Sequence, residues 1–125
     1  MSEPGLPVGL GPTDARALMR LAWALDHFRT VYPKGTIRQA SAFLAVAISP
    51  GFGPTEYAKA LGTIQPIASR WLLDLGSAGR EHAGLELVER KPDPENLRHV
   101  KYSLSPKGKV LARKLAEAVR GRTDV

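Results

Sequence analysis

The chain has 125 residues, enough for one domain with one core. Its hydrophobic fraction of 43% and charged fraction of 24% are those of an ordinary globular protein. No apolar run approaches the ~18 residues that span a bilayer, and no basic-then-apolar opening marks a secretory signal. Cysteine is absent, which excludes disulfides and thiolate chemistry and fits a cytoplasmic setting. The formal net charge of +6 is concentrated: residues 90–122 hold ten Lys or Arg against three Asp or Glu, so the remainder is near neutral. A basic C-terminal third suits a polyanionic partner.

Residues 1–11, rich in Gly and Pro, read as a flexible leader ahead of a single domain over 12–121. The first helix is expected over 13–32. Thr13 opens it, and Asp14 sits in the first turn, where the helix dipole favours an acid. Leu18, Leu21, Ala22, Leu25 and Phe28 keep helical spacing, and Pro33 stops it. Met19 and Trp23 widen the apolar surface beyond one stripe, so this helix is expected to pack on its own domain and on a second subunit. Thr36 and Gln39 have capping-box spacing and start the second helix. Ala40 to Ile48 is almost wholly apolar, which predicts a central, buried helix, ended by Ser49-Pro50-Gly51. A short third helix follows over about 54–61, with Gly53 as N-cap and Pro54 at the first position; Gly62 permits the turn into the fourth.

The fourth helix is expected to begin near Thr63 to Pro66 and reach at least Leu75. Ile67, Trp71, Leu72 and Leu75 form its apolar face, and Gln65, Ser69 and Arg70 fall elsewhere. Residues 76–84 read as a small-residue loop or a frayed helical extension. Leu85 to Arg90 is a strand candidate, and Val100, Tyr102 and Leu104 alternate with polar neighbours as in a half-buried strand. Pro92, Pro94 and Asn96 mark an exposed loop between them. Ser105 caps the last helix, 106–120, with Pro106 at its first position, Val110, Leu111, Leu115 and Ala118 on its apolar face, and Gly121 at its close.

The order is a helix-turn-helix over about 54–76, then a β-hairpin over about 85–105 flanked by helices: mainly α with a small hairpin (α+β), a winged helix-turn-helix. The usual partner of such a fold is double-stranded DNA. A recognition helix needs short or polar side chains near its N-terminus, and Thr63, Gln65, Pro66, Ser69 and Arg70 occupy that place. Gln matches adenine's N6 and N7, and Arg matches guanine's O6 and N7. Alone, Arg70 reads as a solvated helix residue; the motif order turns it toward base recognition. The hairpin loop is basic at both ends, with Arg90 and Lys91 at its start and Arg98, His99 and Lys101, after Asn96, at its return. Arg98 is the leading candidate for a minor-groove or phosphate contact, because the narrow minor groove attracts arginine. Asp93 and Glu95 at the tip oppose a purely electrostatic grip.

Enzyme readings fail. His27, His82 and His99 are scattered without metal-ligand spacing, and His82 beside Glu81 reads as a solvated pair. Gly51-Phe52-Gly53-Pro54 lacks the Lys-Ser or Lys-Thr of a phosphate loop, and no nucleophile elbow is present. No cofactor and no metal is expected.

These segments resemble the multiple-antibiotic-resistance regulator (MarR) family over Ile37 to Leu111, about 75 of the 125 residues. The family's marks stand here as Ser69-Arg70 in the recognition helix and Leu87-Val88-Glu89-Arg90 in the first strand. The wing carries Asp93-Pro94-Glu95-Asn96-Leu97-Arg98, and Leu104-Ser105-Pro106-Lys107-Gly108 opens the last helix. The resemblance implies a homodimeric, sequence-specific regulator of transcription on a pseudo-palindromic operator. Helices 13–32 and 106–120 would form the dimer contact, and any small-molecule effector or protein partner is left unspecified. The chain departs from the pattern at four places. Asn96 replaces the family's Asp as the brace of Arg98. Ile64 stands where a polar cap is common, so Thr63 is expected to cap. The 76–84 loop is long, and the last helix is short for a two-helix dimer arm. Two other readings of the same fold are a protein–protein module in a larger assembly and architectural DNA binding without sequence choice.

Overall fold

The computed structural model describes residues 9–76 and 85–121. The elements run α1 (Pro12–Val31), α2 (Ile37–Ile48), α3 (Pro54–Leu61), α4 (Gln65–Leu75), β1 (Val88–Asp93), β2 (Asn96–Leu104) and α5 (Pro106–Arg120). No described helix is long and apolar enough to cross a membrane. The expected leader lies mostly, and the 76–84 loop almost wholly, outside the described residues.

Local chemistry accounts for most helix boundaries. Gly11 is the N-cap of α1, Pro12 takes the first position, and the Asp14 carboxylate accepts the Gly11 N–H at 3.3 Å, one residue earlier than the expected Thr13 start. In α2 the capping box closes as the sequence predicts. Gln39 N–H donates to Thr36 Oγ1 at 3.2 Å, and Thr36 N–H donates to Gln39 Oε1 at 2.8 Å. Gly53 caps α3, and Gly62, at φ +71°, ends it in the left-handed region where glycine is favoured.

The core is built on α2. Ala42, Phe43 and Val46 are fully buried and meet Leu72 and Leu75 of α4, Tyr57 of α3, and Phe28 and Tyr32 from the end of α1. Only this face of α2 is covered: Leu44 and Ile48 are exposed, so the expectation of an all-round buried helix is corrected to an amphipathic one. α1 packs chiefly along α5. It turns Ala24 and Phe28 inward and leaves Leu18, Leu21, Trp23 and Leu25 outward, each between 41% and 52% exposed. On α5, Leu111, Leu115 and Ala118 are buried as expected, while Val110 is not. The α4 face is rotated from the expected one: Ala68, Leu72 and Leu75 point inward, Trp71 is half-buried and Ile67 is exposed.

β1 and β2 form an antiparallel pair running from Val88 opposite Leu104 to Asp93 opposite Asn96. The strand expected from Leu85 starts only at Val88, because the backbone of residues 86–87 is engaged elsewhere. Glu86 and Leu87 donate their N–H groups to the carbonyls of Gly76 and Leu75, and Leu87 O accepts the Ser105 N–H at 3.0 Å. Ser105 seals this junction. Its hydroxyl donates to Glu86 O at 2.5 Å and accepts the Gly108 N–H at 2.9 Å, capping α5 in the same step.

Candidate nucleic-acid interface

α4 starts without a side-chain cap. Ile64 is the N-cap, and its carbonyl accepts the N–H groups of Ile67 and Ala68, both at 3.1 Å. Thr63, expected to cap, instead donates its backbone N–H to Ala58 O at 2.9 Å and ties down the end of α3. With Ala68, Leu72 and Leu75 committed to the core, Gln65, Pro66 and Arg70 are exposed and Ser69 is half-exposed on one side of the helix. The Gln65 amide donates to Ser69 Oγ at 2.8 Å, so the two side chains are presented as a pair.

The wing approaches the same side. An open cleft of about 770 Å³ brings together Gln65, Pro66, Ser69 and Arg70 from α4 with Arg90, Arg98, His99 and Lys101 from the hairpin. Its acids are Glu56 and Asp93. Among the described residues, Arg70, Arg90 and Arg98 form no ion pair, whereas Lys101 lies 3.8 Å from Asp93 and Lys91 lies 3.7 Å from Glu89. The Lys91–Glu89 pair is exposed and holds its side chains only weakly, ~0–1 kcal/mol, whereas the Asp93 side chain is only 18% exposed. Asn96 acts on the Arg98 backbone: its Oδ1 accepts the Arg98 N–H at 3.2 Å, and its Nδ2 lies 3.5 Å from His99 Nδ1. The expected brace is therefore a turn bond that shapes the chain carrying Arg98, with no bond to the guanidinium. Thr63, Lys91 and Asn96 do not line this cleft. Lys91 borders a second hollow, with Leu72, Glu86, Glu89 and Lys107.

One wall of the cleft is the turn Gly51 to Glu56, which sequence reasoning did not assign to the site. Phe52 bridges to β2: Tyr102 N–H donates to Phe52 O at 2.9 Å, and Gly51 N–H donates to Tyr102 O at 2.7 Å. A Cβ on Gly53 would lie 2.9 Å from Val100 O, so a glycine is what lets turn and wing touch. The Tyr57 hydroxyl donates to Ser49 O at 2.6 Å and accepts the Phe52 N–H at 3.4 Å. Burial raises the pKa of Tyr57 and of Tyr102 above the ordinary 10.0, against a lowering by Arg90 beside Tyr102. A tyrosine within reach of Gly-Phe-Gly-Pro was the available signal, but the bonding partner on β2 is distant in sequence. Among the described residues, no group of three His, Asp or Glu gathers as a metal site would require.

No family model and no curated protein sequence matches the chain. Solved structures do. Rv1404 of Mycobacterium tuberculosis superposes with a TM-score of 0.68 at 20% identity, over 96% of this chain and 77% of its own. The transcriptional regulator Tm0710 of Thermotoga maritima gives 0.64 at 16% identity, over 86% and 70%. A mutant of MarR from E. coli, solved with operator DNA, gives 0.59 at 20% identity, over 86% and 67%. The chain has the winged-helix fold of these structures. In this fold α3 and α4 are the helix-turn-helix, β1 and β2 are the wing, and the cleft lies between α4 and the wing. α1 and α5 pack on each other beside these elements.

Proposed function

We propose that the chain is a sequence-specific regulator of transcription that binds double-stranded DNA as a homodimer. α4 enters the major groove, and the wing lies on the minor groove or the backbone. The observation that carries this reading is the cleft in which Gln65, Ser69 and Arg70 face the same space as Arg90, Arg98 and Lys101. Base-reading groups stand on one wall and cations able to neutralise phosphate on the other, the division of labour that duplex recognition needs. The solved complex of E. coli MarR with operator DNA supports it at the level of fold. In this reading Gln65, Ser69 and Arg70 contact bases. Thr63 and the Pro66 ring border the phosphate track, and Arg90, Lys91, Asn96, Arg98, His99 and Lys101 hold the wing to the duplex. The outward Leu18, Leu21, Trp23 and Leu25 of α1 supply the contact with a second copy, and the protein works in the cytoplasm, on a bacterial nucleoid. The test is retention of a genomic fragment library at two salt concentrations. Selective retention that persists at the higher salt is expected. Retention that is weak, unselective and lost with salt would leave an architectural role, and no retention would leave a protein-interaction module.

A further inference from the structure

The first turn of α2 holds the outer part of α4 at two points. The Arg38 guanidinium lies over the Trp71 ring, 5.9 Å from its centroid. Next to it the Gln39 amide donates from Nε2 to Asp74 Oδ2 at 3.2 Å. Trp71 and Asp74 are three residues apart, so they share one helix face, and the turn at residues 38–39 meets both. The orientation of the Gln39 amide is fixed by its other end. Oε1 accepts the Thr36 backbone N–H, a group that can only donate, so the NH₂ must face Asp74. Gln39 thus closes the α2 capping box and grips α4 with one side chain. It also hydrogen-bonds Tyr32, the C-cap of α1. Tyr32 is itself seated on Gly35, where a Cβ would fall 2.8 Å from the ring. A continuous polar contact therefore runs from the end of α1 through Gln39 to the last turn of α4, on residues that do not line the DNA-facing cleft.

We propose that Gln39 and Asp74 are positioning residues that fix the placement of the recognition helix relative to α1, and hence the placement of Gln65, Ser69 and Arg70 on base edges. This rests on the DNA-binding reading above. α4 is only eleven residues long and has no side-chain cap at its start, so its rotation is set by its packed face and by this grip. A small rotation about the packed face moves the outward side chains most, and base-edge hydrogen bonds are lost within a fraction of an ångström.

The discriminating variant is Gln39→Glu. A glutamate closes a Thr-x-x-Glu capping box as well as glutamine does, so α2 keeps its start. It has no donor for Asp74 and sets two carboxylates against each other. Gln39→Glu with Asp74→Asn reverses the polarity of the contact and restores both the hydrogen bond and the wild-type net charge. The probes are a duplex selected by the wild-type protein from a random library, a random-sequence duplex, and hydrogen exchange of the free protein. Gln39→Glu is expected to speed exchange of the Trp71 to Leu75 amides while leaving Gln39 to Phe43 protected. It should also lower the preference for the selected duplex roughly tenfold or more, with random-sequence binding compared at matched net charge through the double variant. The double variant is expected to recover both. Unchanged exchange in Gln39→Glu, unchanged preference, or failure of the double variant to recover would each overturn the proposal. A wild-type protein that selects no duplex would overturn the DNA-binding reading instead, and the exchange data would still decide whether the grip exists.

Discussion

Arg70 and Arg98 face one cleft, and substitution would separate the tasks proposed for them. Arg70 projects from the middle of α4 beside the Gln65–Ser69 pair, where a guanidinium can meet guanine's O6 and N7. Arg70→Ala should weaken binding to a selected operator by roughly 1–3 kcal/mol and hardly change binding to random DNA. Equal losses on the two duplexes would reduce Arg70 to a phosphate contact. Arg98 follows the Asn96 turn at the start of β2, and its charge carries its role. Arg98→Ala should lower affinity on many sequences and reduce the salt slope by about one unit, measured by salt titration on one operator. An unchanged slope would show that the wing leaves DNA untouched. Gly108 is a third kind of residue. A Cβ there would collide with Leu87 O, the carbonyl that also accepts the Ser105 N–H. Gly108→Ala should therefore cost roughly 3 kcal/mol in urea unfolding, with loss of the wing's anchorage. A variant of wild-type stability would mean that the junction yields more easily than its geometry implies.

At the scale of elements, the turn between α2 and α3 and the hairpin are tied by tyrosines whose neutral form the fold prefers. All three tyrosines of the chain are raised above the ordinary 10.0, each chiefly by burial. The unfolded chain loses these protons first, so the folded state binds more protons once the pH passes 10.0. Their contribution to stability is complete below that pH and declines as pH rises through the folded-state values. Urea midpoints should be flat with respect to tyrosine up to about pH 10 and then fall, and Tyr57→Phe should flatten part of that fall while lowering the midpoint at neutral pH. A midpoint indifferent to alkali would show that the fold does not prefer the neutral form of these tyrosines. These ties also mark the limit of what the sequence discloses. The Thr36–Gln39 box, the Pro54 and Pro106 starts and the Gly62 and Gly121 stops were legible because each is decided within four residues. The bridge from Phe52 to Tyr102 was not, since half of it is fifty positions away. Nor was the rotation of α4. An eleven-residue helix with Ile67, Ala68, Trp71, Leu72 and Leu75 satisfies two neighbouring apolar stripes, and only the fully buried Ala68 reveals which one α2 covers. The site residues were half legible for the same reason: α4 and the wing were each visible, but their convergence on one cleft depends on contacts between distant parts of the chain.

For the molecule as a whole, the question is what covers α1. Twenty residues of helix bury only Ala24 and Phe28, while Leu18, Leu21 and Leu25 stand about half exposed on one side. Covering a leucine is worth ~1.5–3 kcal/mol, so a second copy of α1 on the same stripe would gain enough to hold a dimer at micromolar concentration. Light scattering at tens of micromolar should give about twice the 13.5 kDa chain mass, and Leu21→Glu should return it to one. A wild-type mass of one chain, with pairing appearing only on operator DNA, would shift the source of the symmetry from the protein to the duplex.

The packing of α1 along α5 also has a consequence for the order of assembly expected of the chain. α2, α3 and α4 meet one another over short stretches of chain, and the hairpin closes through a tight turn, so these contacts form early and cheaply in entropy. Joining α1 to α5 requires the two far ends of the described chain to find each other across everything between. The helix-turn-helix and wing can thus form before the flanking pair has closed, and that pair is expected to be the first to open. A nascent or briefly opened chain would then hold the cleft between α4 and the wing intact while the outward face of α1 is still in flux.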